Sequence, residues 1–108
     1  LVLMVAEMTP KEFVTRRDEG EDLLLDVRED WELAISRLDE ALHIPMGEVP
    51  DRLGELDQER GVVVLCRSGG RSAQVARFLQ HHGYTRVWNL AGGILAWGQA
   101  IDPGLTPY

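Results

Sequence analysis

The chain of 108 residues holds one cysteine, Cys66, placed where Val62-Val63-Val64-Leu65-Cys66 gives way to Arg67-Ser68-Gly69-Gly70-Arg71-Ser72-Ala73. The aliphatic run reads as a strand buried on both faces, as in parallel sheets. Gly69-Gly70 breaks it, because glycine takes backbone conformations closed to other residues. Val75, Ala76 and Leu79 then fall on one helical stripe. A loop between a strand end and a helix N-terminus turns backbone N–H groups inward, so it can cradle an anion. The helix dipole adds partial positive charge and Arg67 and Arg71 add full charges, and all three favour the thiolate, which is the nucleophile. The alternative is a small buried hydrophobe that merely ends a strand. Two arginines and a glycine pair within five residues of the sulfur favour the reactive reading.

The other chemistry-bearing side chains are weaker candidates. His43 is a possible base, since Cys/His is a known nucleophile–base pairing, but a packed or surface histidine in a strand is the expected role. His81 and His82 stand just before Gly83 at an expected helix end, where a cation suits the dipole. Three scattered histidines and one cysteine give no zinc-ligand spacing, so no metal is expected. Trp31, Trp88 and Trp97 are expected in the core rather than in an aromatic binding platform.

These residues must be positioned by the elements around them. Leu1–Val5 reads as a short first strand. Thr9-Pro10-Lys11-Glu12 reads as a helix start, with Thr9 as N-cap, Pro10 at the first helical position and Glu12 completing a capping box. Phe13 and Val14 then face the core, and Gly20 ends the helix. Leu23–Val27 is a second buried strand, with Asp26 and Arg28 at its carboxyl end. In open α/β sheets ligands bind outside the strand carboxyl ends, so Asp26, Arg28 and Cys66 are expected on one rim. A loop-fixing ion pair is the expected role of Asp26 and Arg28, ahead of direct substrate contact. Glu29–Ile35 reads as a short helix, Leu42–Ile44 as a third strand closed by Pro45, and Met46–Leu56 as broken helix around Gly47, Pro50 and Gly54. Gly61 introduces the fourth strand. Ser72–His82 is the following helix, Arg86–Asn89 the fifth strand, and Gly92-Gly93 precedes a last helix through Trp97. Asp102-Pro103-Gly104 reads as a tail. No internal repeat is present.

The length suits one compact domain, residues 1–108, with a core large enough to need no staples. The single cysteine excludes an internal disulfide. A net charge of −7 argues against nucleic acid as a partner. No run approaches the roughly 20 apolar residues of a membrane span, so no membrane association is expected. Leu1–Ala6 is short and lacks a basic flank, unlike a signal peptide. A cytoplasmic location is the default expectation, and the start at Leu1 leaves a removed leader or tag open. Every acidic residue except Asp102 lies at or before Glu59, whereas Arg60–Ile101 carries Arg60, Arg67, Arg71, Arg77 and Arg86 and no carboxylate. Positive charge is therefore expected around Cys66, suiting a small anionic substrate, unless folding interleaves the two halves.

Several stretches, in order, resemble the rhodanese family of sulfurtransferases. Leu23-Leu24-Leu25-Asp26-Val27-Arg28-Glu29 resembles its Asp-Val-Arg strand end, and His43-Ile44-Pro45 its later His/Asn-X-Pro element. Cys66-Arg67-Ser68-Gly69-Gly70-Arg71-Ser72 resembles its cysteine loop, and Gly83-Tyr84 through Val87, Leu90, Gly92-Gly93 and Trp97 its Gly-Gly…Trp ending. One segment departs: Ser36-Arg37-Leu38-Asp39-Glu40-Ala41 replaces the family's usual Gly-His-Ile-X-Gly-Ala, so that turn needs other backbone geometry.

The resemblance implies an α/β fold, a rhodanese-like three-layer sandwich whose five-stranded, mostly parallel sheet is flanked by helices on both faces. It implies thiosulfate sulfurtransferase activity, with Cys66 as catalytic nucleophile and a covalent cysteine persulfide as intermediate, without metal or organic cofactor. Thiosulfate or a persulfide would be the donor, and cyanide or a small-molecule or protein thiol the acceptor. Arg67, Ser68, Gly69, Gly70, Arg71 and Ser72 would form the substrate-binding, persulfide-stabilising loop, and Asp26 and Arg28 would buttress it. Arg71→Ala is expected to slow thiosulfate turnover with little loss of stability. Two other functions stay open: a partner-specific sulfur carrier or regulatory module of the same family, and a cysteine phosphatase. The phosphatase loop is similar but longer by a residue, and its arginine would fall at Ser72.

Overall fold

The computed structural model describes residues 4–20 and 22–108. Five strands form one sheet: β1 (Ala6–Met8), β2 (Asp22–Asp26), β3 (Leu42–His43), β4 (Gly61–Leu65) and β5 (Val87–Leu90). Three helices, α1 (Pro10–Arg17), α2 (Asp30–Ile35) and α3 (Gly70–His81), and a 3₁₀ segment over Met46–Glu55 connect them, and α4 (Gly93–Ala100) follows β5. The strand order is β1-β5-β4-β2-β3, and every pairing is parallel.

The all-apolar β4 lies at the centre because it has a covered face on each side. Val62, Val64 and Cys66 join one core with Leu25, Val27, Val75, Ala76 and Leu79, beneath α3 and the 3₁₀ segment. Val63 and Leu65 join the other with Met8, Phe13, Leu90, Ile94 and Trp97, beneath α1 and α4. Successive strand residues point to opposite faces, so this split follows directly from the backbone. The result is the expected three-layer sandwich.

α1 starts as the sequence predicts: the Glu12 amide donates to Thr9 Oγ1 at 3.1 Å, and the Glu12 carboxylate accepts from the Thr9 amide at 3.1 Å. It ends earlier than expected, at Arg17, with Gly20 in the turn beyond. Of the strand expected over Leu1–Val5, residues 1–3 lie outside the described residues, and Met4 and Val5 are not strand. The first strand is Ala6–Met8, whose position is set by pairing with Trp88–Leu90. Trp97 is buried and Trp88 half-buried, but Trp31 is 56% exposed, so the expectation of a core role fails for it. α2 is short, and the Trp31 ring meets the edge of the Tyr108 ring instead.

The departing segment Ser36–Ala41 makes a turn closed by the Ala41 amide donating to the Leu38 carbonyl at 3.0 Å. Leu38 is buried and Glu40 pairs with Arg17 of α1 at 2.6 Å. No described residue other than glycine has positive φ, so the turn does without the family's glycines. Among the described residues no helix is long and apolar enough to cross a membrane.

Candidate functional site

The cysteine loop runs from the carboxyl end of β4 to the first turn of α3. Gly69 caps α3 with φ +117°, a conformation that side chains disfavour, and this turns the chain back over the sulfur. The Gly69 amide donates to Cys66 Sγ at 3.1 Å, and Ser72 Oγ lies 3.3 Å from it. Burial pushes the Cys66 thiol pKa up, but the Ser72 hydroxyl and the amides of Ser72, Gly69 and Ser68 more than offset it, and the net shift is down. The sulfur thus faces converging donors at a helix N-terminus, as the sequence predicts. It is also covered: Cys66 is 1% exposed and its strand packs among aliphatic side chains.

Asn89 of β5 holds this turn from below. Its Nδ2 donates to the Gly69 carbonyl at 3.1 Å, and its Oδ1 accepts from Ser72 Oγ. α4 holds it from the side: the Ile94 and Leu95 amides donate to the Cys66 and Arg67 carbonyls at 2.9 and 3.2 Å. That approach requires a glycine, because a Cβ on Gly93 would collide with both carbonyl oxygens.

The two loop arginines part company. Arg71 grips Glu32 of α2 through both terminal nitrogens, at 2.6 and 2.8 Å. Glu32 is 2% exposed, and the Arg71 guanidinium is the leading cause that holds its carboxyl below the usual range. The expected charge asymmetry is therefore partly cancelled, because folding brings an N-terminal carboxylate onto the loop. Arg86 similarly lies 3.7 Å from Asp22. Arg67 forms no ion pair among the described residues. Its guanidinium instead sits 4.9 Å from the centre of the Tyr108 ring.

Asp26 and Arg28 lie on the adjoining strand end, since Asp26 pairs in register with Leu65. The Arg28 amide and Nε donate to Asp26 Oδ1 at 3.0 Å each, and Nη2 donates to Oδ2 at 2.7 Å. Both side chains are buried, which fits the loop-fixing ion pair expected of them. His43 is not brought to the sulfur. Its Nε2–H donates to the Arg28 carbonyl at 2.6 Å and its Nδ1 lies 3.7 Å from Asp30, two strands away from β4. His82, the residue just past α3, donates back to the Phe78 carbonyl, an end-of-helix role.

Glu32 and Asn89 hold the loop, and Tyr108, backed by Trp31, covers Arg67; the sequence reading singled out none of these contacts. Asn89 carried a signal, being the one carboxamide in Val87-Trp88-Asn89-Leu90. Buried strand amides need partners, and that partner is a functional loop here.

The rhodanese-like domain family's sequence model matches residues 9–100. A sulfurtransferase from Allochromatium vinosum is 41% identical over 96% of this chain and 98% of its own length. The putative sulfurtransferase YtwF of Bacillus subtilis is 41% identical over 74% of this chain and 77% of its own. The crystal structure of a rhodanese-like domain protein from Staphylococcus aureus superposes with a TM-score of 0.82 at 31% identity, covering 96% of this chain and 99% of that one. With the sheet order, the cysteine loop and these matches in agreement, the chain belongs to the rhodanese-like domain family.

Proposed function

We propose that the protein is a sulfurtransferase in which Cys66 carries the sulfur. The Cys66 thiolate attacks the outer sulfur of thiosulfate or of a persulfide donor. The donor's S–S bond breaks, sulfite or the donor thiolate leaves with the electron pair, and Cys66 holds a persulfide. A cyanide or thiolate acceptor then attacks the terminal sulfur and leaves as thiocyanate or as a new persulfide, returning the thiolate to Cys66. This is covalent catalysis with ping-pong kinetics, balanced without oxidant, metal or organic cofactor. The amides of Ser68, Gly69 and Ser72 and the Ser72 hydroxyl would hold the anionic sulfur. Arg67 would draw in an anionic donor, and Asp26, Arg28 and Gly70 would keep the loop in shape.

The observation that carries this reading is the sulfur's setting: the Gly69 amide and the Ser72 hydroxyl of its own loop converge on Cys66 Sγ and favour the thiolate despite burial. Incubation with thiosulfate should add the mass of one sulfur atom to the intact protein, and cyanide should remove it. A Cys66→Ser variant that still took up sulfur would refute the assignment. The phosphatase alternative finds no support in this loop, because its arginine position is Ser72, a buried hydroxyl bonded to Asn89.

One observation favours a dedicated carrier over a general thiosulfate enzyme. Arg71 is committed to Glu32, which leaves Arg67 as the loop cation without an ion pair among the described residues. Attraction for free dianions is correspondingly reduced. A carrier should load faster from a persulfide than from thiosulfate and discharge faster to a protein thiol than to cyanide. Single-turnover loading and discharge rates for the four reagents decide between them.

A further inference from the structure

The segment after α4 does not trail into solvent. It turns at Asp102–Gly104, where the Gly104 amide donates to Asp102 Oδ1 at 3.1 Å and the Leu105 amide to the Asp102 carbonyl at 3.0 Å. Leu105 then packs against the core beneath α1 and α4. Thr106 and Pro107 are exposed, but Tyr108 is half-buried. Its ring meets Trp31 edge-on, with centroids 5.3 Å apart, and covers the Arg67 guanidinium at 4.9 Å. Its carbonyl lies 3.4 Å from Arg28 Nη1, a long hydrogen bond.

These contacts come from two neighbouring strand ends. Arg28 and Trp31 follow β2, Arg67 follows β4, and the two strands are neighbours whose carboxyl ends are in register at Asp26 and Leu65. Cys66 lies at that same edge and is 1% exposed. The residue spanning Arg28, Trp31 and Arg67 therefore lies across the strand-end rim on which the sulfur sits. Its hold is modest: one ring over a cation, one edge contact and one long hydrogen bond. Leu105 is held against the core, so displacing Tyr108 need not disturb α4.

We infer that Tyr108 is an access- and specificity-determining residue of the cysteine site, its ring clipped between Trp31 and Arg67 across that rim and displaced when an anionic sulfur donor takes Arg67. The inference rests on Cys66 as the sulfur acceptor and adds what decides which donors reach it. A small anion competes with the ring for the guanidinium and helps to displace it from the rim. A neutral or bulky donor lacks that competition and must wait for the strap to open by itself. The apparent affinity of any donor is lowered by the closed fraction.

The test reads access separately from sulfur transfer. Wild type, Tyr108→Ala and Tyr108→Phe are alkylated with iodoacetamide across a pH range, and their thiosulfate kinetics are measured. Tyr108→Ala should alkylate about fivefold to tenfold faster, the scale set by losing a cation–π contact and an aromatic pair. Its pH midpoint should not move, and its KM for thiosulfate should fall without loss of kcat. Tyr108→Phe should match wild type, because the strap uses the ring and not the hydroxyl. Alkylation of Tyr108→Ala at the wild-type rate would overturn the inference. So would a gain matched by Tyr108→Phe, or a gain explained by a shifted midpoint. Alkylation needs no sulfur transfer, so a wild-type protein that accepted no sulfur would overturn the sulfurtransferase reading while the strap was still judged by alkylation.

Discussion

A serine hydroxyl has one proton, and Ser72 faces two acceptors, Cys66 Sγ and Asn89 Oδ1. Asn89 cannot turn its amide away without losing the Gly69 carbonyl, so its oxygen stays toward Ser72. Ser72→Ala should raise the Cys66 pKa and slow sulfur loading at neutral pH, as read from the pH dependence of alkylation. In the wild type that midpoint should lie below the ordinary thiol value of 9.0. The sign follows for stability too. A lowered folded-state pKa adds stability above the unfolded thiol's pKa, and that contribution is lost as pH falls through the folded value. Ser72→Ala should shrink this pH dependence. Cys66 and its loop were legible because strand, glycine pair, arginines and serines are contiguous. Asn89, Glu32 and Tyr108 reach the loop from elsewhere in the chain, and no local pattern announces such partners.

At the level of elements, the Arg71–Glu32 pair ties α3 to α2. Glu32 also accepts from the Glu29 amide at 2.9 Å, so it caps its own helix while holding the loop. Arg71→Ala would leave a buried carboxylate without its cation. The cost should be about 1–3 kcal/mol, seen in denaturant unfolding. This reverses the sequence-based expectation of little stability loss. Because the Glu32 carboxyl is held below 4.5, the stabilisation is complete above that pH and is lost as pH falls through the lower folded value. The gap between wild type and Arg71→Ala should therefore close in acid. Gly93→Ala should cost about 2 kcal/mol or more, from positive φ and collision with the loop carbonyls, with sulfur loading impaired as well. Helix starts were legible wherever a cap announced them, as at Thr9. β1 was displaced because its place depends on a strand some eighty residues later.

At the scale of the whole molecule, buried runs alternating with helical stripes gave the succession of elements and the family resemblance gave the sandwich, whereas the strand order β1-β5-β4-β2-β3 was not read from the sequence. The charge map was only half legible. The acidic N-terminal half and arginine-bearing C-terminal half interleave through Glu32–Arg71 and Asp22–Arg86. A chain ending at Ala91 would lack α4, whose amides hold the loop carbonyls and whose Ile94 and Trp97 fill one core. It should show no cooperative thermal transition, as followed by circular dichroism.

β1 has a single neighbour in the sheet, β5, so the first strand made waits for the last one. Cys66 likewise precedes β5 and α4, and its loop gains the Asn89, Ile94 and Leu95 contacts only when those two elements fold against it. Until they do, the thiol stands less guarded against oxidants than in the finished fold. Contacts so distant along the chain also form slowly, which lengthens that vulnerable interval.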